Sequence, residues 1–523
     1  MSAAAESVIG LDCSTTTVKA LAFDRDGNVL AEGRAAVPFG PDADGRFEQN
    51  PEEWWHACCG ALAELASKLP GARIAAMAVA NQRETIAPLD AAFKPVRKAI
   101  LWLDGRASGD AKALADRLGS DHLHRITGKV PDPNPALYKL AWMRRAEPDL
   151  LDASKYFAEV HGYLVYRLTG RFATSTACAD PLGVFDLEAK DYAADLLSAV
   201  GLSPGRFAPA FPPGSVLGHL TDAAARATGL PPSLPVVAGA GDGQAAGLGV
   251  NLMKSGRAYL NLGTAVVSGL RSERYRVGRS FRTMISADGD AYVLETSLRS
   301  GTLLCDWLVS NVFGGSLCTI AALAPEAALV PPGSAGVMLL PYFLGVMTPH
   351  WDSSARGALV GLAPHHGRAH LLRALFEGIA MEQAEVMAMI RSEANAAPDE
   401  IVAIGGGAQS DLWCSIFADV LALPLLRSAT LEASSLGAAM AAAVGAGWFN
   451  SFTEAASAME GPMAARFDPD PARASVYARL RRQYAEIYAR LRGFPAASGD
   501  VAEQVCCDSS SSRGAPVSGA QPC

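Results

Sequence analysis

Residues Pro235 to Gly249 read P-V-V-A-G-A-G-D-G-Q-A-A-G-L-G. Val236-Val237-Ala238 is the apolar run expected at the end of a buried strand. The alternating glycines Gly239, Gly241 and Gly243 break it, and Ala, Gly and Leu continue as a tightly packed helix. Glycine lets a backbone turn sharply and lets a ligand approach. Asp242 stands at the apex of the turn, where a carboxylate at the mouth of a cleft can take a proton or face a metal. The same residues would also serve an ordinary strand-to-helix turn with an Asp cap. The stretch alone leaves both readings open.

The rest of the chain bounds the choice. At 523 residues it is too long for one core and calls for two large domains or three small ones. Half of the residues are hydrophobic and 19% are charged, so burial is ample. A net charge of −8, with no Lys/Arg-rich run, argues against a nucleic-acid partner. It leaves phosphate ligands open, because glycine loops and helix N-termini bind them without many cations. Ten cysteines without a CxxC pattern suit free thiols in a cytosolic protein. No basic-then-apolar leader and no apolar stretch of membrane-spanning length is present, so the expectation is a cytoplasmic protein with no membrane partner.

Taken in order, Val8 to Asp24 reads as two apolar strands around the polar turn Asp12 to Thr16. Hydroxyls and N–H groups in such a turn can cradle a phosphate while Asp12 holds the accompanying magnesium. A polar hairpin turn is the plainer alternative. Pro51 to Leu69 has helical apolar spacing with a proline suited to the first turn. The strand Ile74 to Ala80 ends in Asn81-Gln82-Arg83-Glu84-Thr85, where an Arg–Glu pair can recognise hydroxyls. Ala99 to Arg106 reads as another strand, with Trp102 and Asp104 as candidate pocket walls, and Tyr156 to Gly170 reads as a helix containing a structural His161. Ala258 to Gly269 repeats the pattern of strand, Gly/Thr turn and strand, which suggests two related domains facing each other across a nucleotide. A long helix, about His370 to Ala394, precedes the strand Ile401 to Ile404, the run Gly405-Gly406-Gly407-Ala408-Gln409 and a helix at Leu412 to Leu421. The small-residue helix opened by Glu432-Ala433-Ser434-Ser435-Leu436-Gly437 must pack closely against something. Strands alternating with helices indicate an α/β fold.

Five stretches in order resemble the FGGY carbohydrate kinases of the actin/hexokinase/Hsp70-like superfamily: G-L-D-C-S-T-T-T-V-K, N-Q-R-E-T, G-A-G-D-G-Q-A-A-G-L-G, N-L-G-T-A and G-G-G-A-Q-S-D-L-W, with E-A-S-S-L-G-A-A in support. The resemblance implies two RNase H-like domains flanking a catalytic cleft: a sugar-binding domain at 1–252, a nucleotide-binding domain at 253–495, and a disordered tail at 496–523. It implies Asp242 as general base, with Asp12 holding the Mg²⁺ of Mg·ATP. Ser14, Thr15 and Thr16 would lie near the transferred phosphate, Gly263 and Thr264 on the phosphates from the other domain, and Gly406, Gly407, Ala408 and Gln409 along the adenosine. Arg83, Glu84, Trp102, Asp104, Asp242 and Gly243 would line the sugar site. The chemistry fits, since phosphoryl transfer needs positioning, charge neutralisation and one acceptor for the hydroxyl proton. A homodimer is left open. N-Q-R-E-T resembles glycerol kinases, which carry W-Q-D-R-R where this chain has W-L-D-G-R, closer to the W-N-D-G-R of xylulokinases; those in turn carry Q-M-H-G at Asn81 to Glu84. Asn134 stands where glycerol kinases place an aromatic residue. The expected acceptor is a pentulose such as D-xylulose, with glycerol or another polyol second. A sugar-independent ATPase switch is the alternative of another class, disfavoured by the Arg83-Glu84 cluster. A dinucleotide-binding dehydrogenase lacks its strand–G-x-G-x-x-G–helix unit.

Overall fold

The computed structural model describes residues 6–71, 73–315 and 318–492; the tail expected at 496–523 lies outside them. Two mixed sheets follow one another along the chain. In the first, Glu6–Cys13, Thr17–Phe23 and Val29–Ala36 form an antiparallel meander. Arg73–Asn81 lies parallel to Glu6–Cys13 and Pro235–Gly241 parallel to Arg73–Asn81, and Val216–His219 closes that edge antiparallel. In the second, Arg257–Leu262, Val266–Ser272 and Tyr292–Leu298 form the meander. Glu400–Ile404 and Leu425–Ser428 continue in parallel, Met463–Phe467 closes one edge, and Arg282–Ile285 extends the other. The two sheets thus share one strand order, as their two polar turns suggested.

Both sheets are covered on both faces, which is why their first strands read as nearly continuous apolar runs. The helices Pro51–Ser67, Val160–Thr169 and Asp222–Thr228 pack on one face of the first sheet. The first of these starts cleanly because Asn50 and Glu53 form a capping box and Pro51 needs no N–H partner. Arg368–Ala394, Asp411–Leu421 and Pro471–Leu491 contribute to the main core on the second sheet. Between the sheets lie Asp242–Gly249 and Ala433–Gly445. Ala245 and Leu248 join the core of the first sheet, while Ala246 joins that of the second. A helix buried all round must be small and apolar all round. A Cβ on Gly437 would stand 1.9 Å from the Ala245 carbonyl oxygen, so only glycine allows the two helices to approach this closely. Ala433–Gly445 and Phe452–Met459, late in the chain, complete the core of the first sheet. Among the described residues no helix is long and apolar enough to cross a membrane.

Three expected elements differ. Only Ala99–Ile100 of the expected strand Ala99 to Arg106 is extended; the Asp104 carboxylate then accepts the Arg106 N–H and starts a 3-10 turn at Gly105–Ala107. The expected helix Tyr156 to Gly170 begins as a strand, Tyr156–Ala158, and becomes helical only at Val160, where Glu159 caps the Gly162 N–H. Glycines at 239 and 241 do not break their strand either, for it runs through to Gly241.

Candidate active site

In the first sheet Cys13 and Gly241 both pair with Asn81 across parallel strands. The turn Ser14–Thr16, the loop Gln82–Thr85 and Asp242 therefore leave the sheet at one edge, the carboxyl ends of its parallel strands, where open α/β sheets bind ligands. Residues far apart in sequence are gathered there by register alone.

A chain of alternating charge runs through this edge. Arg83 Nε is 2.9 Å from Asp242 Oδ1, and its Nη1 donates to Glu295 Oε2 at 2.8 Å. Arg282 Nε donates to Glu295 Oε1 at 2.8 Å, and its Nη1 to Glu84 Oε1 at 2.8 Å. Tyr259 O–H adds a bond to Glu295 Oε2 at 3.0 Å. Arg83 and Glu84 come from the first sheet, Glu295 and Arg282 from strands of the second, so two of these ion pairs cross between the halves. The Glu295 side chain has 0% exposure whereas that of Asp242 has 38%, so the charge chain is closed at its centre and opens most at Asp242. Burial alone would push the Glu295 carboxyl up, but Arg83 and Arg282 overcome it and hold it at about 2. Burial raises Asp242 above the usual carboxylate range against the pull of Arg83 and the Gly243 N–H. That N–H donates to Asp242 Oδ1 at 2.7 Å, so both protein partners of the carboxylate fall on Oδ1 and Oδ2 is left for a ligand. A Cβ on Gly243 would stand 2.8 Å from Glu295 Oε2, so this glycine serves the ion chain rather than the turn.

Asp12 is buried, and its Oδ1 has no hydrogen-bond partner. Burial, and then the charge of Asp242, push its carboxyl up to about 7 against the opposing pull of Lys19. A buried acceptor with no donor is costly unless a cation or donor arrives. It fits a divalent ion carried in by phosphates. No cluster of three or more metal-ligating side chains occurs among the described residues, so phosphate and water oxygens would have to complete the shell.

Lys139, fully buried, ties the walls together. Its Nζ donates to the carbonyls of Glu84 at 3.1 Å, Trp102 at 3.4 Å and Asn134. Burial lowers it to about 8. Trp102 Nε1 donates to Thr15 Oγ1 at 3.0 Å, which joins the loop after Ala99–Ile100 to the polar turn. Ser14 Oγ donates to the Thr17 carbonyl and closes that turn, leaving Thr16 exposed. The Asp104 carboxylate is committed to Arg106 and to the Phe47 N–H at 2.7 Å, so it braces the wall instead of lining it. Beyond Glu84 lies a small cavity of about 10 Å³, room for about one water, with Lys129, Asp132, Asn134, Arg282 and Trp351 in its lining.

The second sheet offers backbone and small residues in the matching place. Asn261 pairs with Ile404, so the turn holding Gly263 and Thr264 and the turn Gly406–Gln409 open at one edge. The carbonyls of Gly263 and Thr264 accept the N–H groups of Thr302 and Gly301, and Thr264 is exposed. Gly405 has φ +85° and enters a 3-10 turn in which Gly406 faces open space. Gly407 and Ala408 are buried beside Trp413, and Gln409 is exposed.

Glu295, Arg282 and Lys19 were not among the residues singled out from the sequence. The available signal was one charge inside an otherwise apolar strand, in Y-V-L-E-T-S-L and in F-R-T-M-I. Such a charge is buried and needs a partner. Lys19 reaches Glu432 at 2.6 Å, from the loop that precedes the helix Ala433–Gly445.

Comparison with known proteins agrees with this layout. The N-terminal domain of the FGGY family of carbohydrate kinases matches residues 7–249 and its C-terminal domain matches 258–446. A xylulose kinase of Bacillus subtilis is 30% identical over 92% of this chain and 96% of its own length. A glycerol kinase of Rhodospirillum centenum is 30% identical over 86% and 91%. The crystal structure of a xylulose kinase from Rhodospirillum rubrum superposes with a TM-score of 0.85 at 30% identity, covering 93% of this chain and 99% of that one. One family region coincides with the first sheet and its polar turn, and the other with most of the second sheet and its glycine turns: the chain belongs to the FGGY family of carbohydrate kinases, and it is an ATP-dependent sugar kinase.

Proposed function

We propose that this kinase transfers the γ-phosphate of Mg·ATP to a hydroxyl of a pentulose such as D-xylulose, with Asp242 as general base. The observation that carries the mechanism is the asymmetry of the Asp242 carboxylate. Oδ1 is occupied by Arg83 and the Gly243 N–H, and Oδ2 is left to receive the hydroxyl proton. Arg83 steadies the carboxylate and, with Glu84, offers donors and an acceptor to sugar hydroxyls. Residues up to about 252 would hold the sugar. Those from about 253 would hold the nucleotide through Gly263 and Thr264 on the phosphates and Gly406, Gly407, Ala408 and Gln409 along the adenosine. Ser14, Thr15 and Thr16 would lie beside the transferred phosphate, with Asp12 toward the metal. Mg²⁺, when bound with ATP, would neutralise charge on the phosphates. The two cross-half ion pairs support a cleft that closes and excludes water.

The pentulose reading is supported by Asn134, which stands where glycerol kinases place an aromatic residue. The xylulose kinase relatives favour it too. Glycerol is the second reading, favoured by the Arg83-Glu84 pair and by the glycerol kinase relative. ADP release with Mg·ATP should be measured across glycerol, D-xylulose, L-xylulose, D-ribulose, erythritol and D-gluconate. Stimulation by one pentulose far above the others supports the proposal, and stimulation by glycerol alone overturns it. Equal release with every sugar and with none would sink the transfer step itself.

A further inference from the structure

We infer that Glu295 is a positioning residue for phosphoryl transfer: from the second sheet it anchors the Arg83 guanidinium against Asp242. The inference deepens the proposed function and rests on Asp242 as the base. Arginine carries five N–H donors in a rigid fork on a flexible stem. Left unanchored, that fork rotates on its stem and holds a carboxylate in no single direction. Here Glu295 Oε2 takes Nη1 at 2.8 Å, with Gln244 Oε1 at 3.4 Å beside it, and Nε is held 2.9 Å from Asp242 Oδ1. Glu295 is itself pinned by Arg282 at 2.8 Å and Tyr259 at 3.0 Å, both from the second sheet. The aim of Arg83 is thus set by the half that carries the nucleotide turns, and Arg282 returns to Glu84 at 2.8 Å. When the halves meet, both polar groups of the Arg83-Glu84 pair are locked by residues of the other sheet. An acid that served only to fill the core would need no such alternation of charge ending at an exposed carboxylate.

The test is steady-state kinetics with Mg·ATP and D-xylulose on Glu295→Gln, Glu295→Asp and Asp242→Asn, with ADP binding measured on each. For Glu295→Gln the expectation is a fall in kcat of at least tenfold and a rise in the D-xylulose KM of at least fivefold, with ATP KM and ADP affinity within twofold. Glu295→Asp keeps the charge on a shorter arm and should recover most of the kcat while the D-xylulose KM stays raised. Wild-type kcat and sugar KM in Glu295→Gln would overturn the inference. So would a parallel rise of sugar and ATP KM, which is what a loosened fold predicts. Should Glu295→Gln not fold, Glu295→Asp decides: a sugar KM raised with ATP KM unmoved supports the role, and a wild-type sugar KM removes it. Asp242→Asn separates the two ideas. If it retains turnover the base assignment fails; if it is inactive while Glu295→Gln behaves as wild type, only the role of Glu295 fails.

Discussion

In the first sheet the strand Glu6–Cys13 holds a buried carboxylate, Asp12, just before a hairpin turn with a run of hydroxyls, and the neighbouring strand ends lead to Arg83, Glu84 and Asp242. In the second sheet the turn after Arg257–Leu262 carries a glycine and an exposed threonine, and the neighbouring strand end carries three glycines. The strand order is the same. On the proposed division of labour, the content differs because the tasks differ. Taking a proton and choosing a hydroxyl need charges held in fixed directions, and a buried charge has to be paired. Binding phosphates and a flat base needs close backbone and N–H groups, which glycine turns supply without charge. The second sheet does contribute charge, through Glu295 and Arg282, but both face the first sheet's residues.

The comparison breaks most visibly at Asp242. Asp242→Asn is expected to lower kcat by roughly 10³-fold while ADP binding survives, as measured by turnover and by nucleotide titration. Near-normal turnover would rule it out as the base. The helix layer shared by both halves comes next. Gly437→Val would drive a side chain into the Ala245 carbonyl and should destabilise by about 3 kcal/mol, read as a fall in Tm with sugar and ATP affinities weakened together. Unlike a change in either turn, this one should not discriminate between ligands.

Asp12 gives a pH-dependent effect whose sign follows from its raised carboxyl. The folded protein binds a proton there up to about pH 7, whereas the unfolded chain releases it near the ordinary value of 3.8. Stability from this group is therefore present at acid pH and lost as pH rises through that window. Asp12→Asn should raise the Tm of the ligand-free protein at pH 8, by the equivalent of ~1–2 kcal/mol, and leave it unchanged near pH 4. The same variant should lose transfer activity. For the native enzyme, kcat/KM should fall as pH drops below about 7, as Asp12 takes up a proton, and the raised Asp242 carboxyl acts in the same direction. The smallest effect belongs to the second sheet. Thr264→Ala removes one exposed hydroxyl and should raise the ATP KM about tenfold, leaving the sugar KM in place. A sugar KM that moved instead would reverse the division of labour between the halves.

The strand–turn–helix at Pro235 to Gly249, the polar turn after Asp12, the glycine run at 405–407 and the small-residue helix after Glu432 were all legible in the sequence. Each is a local pattern, set by glycine, by hydroxyls or by apolar spacing, and local patterns need no partner to be read. They sufficed for an α/β chain in two related halves. Where a side chain's role depended on what stood opposite, local reading fell short. Asp104 looked like a pocket wall until Arg106 and the Phe47 N–H were seen to occupy it. Glu432 to Gly437 asked for a close neighbour, but only the fold named Ala245 as that neighbour, some 190 residues earlier. Glu295 and Arg282 went unremarked in the sequence, and are members of one ion chain only because the sheets meet. Sequence determines the period and the turn chemistry of each element through backbone sterics and apolar spacing. The pairing of buried charges is decided by tertiary structure, because the free energy of a charge in a low-dielectric interior depends on which opposite charge reaches it.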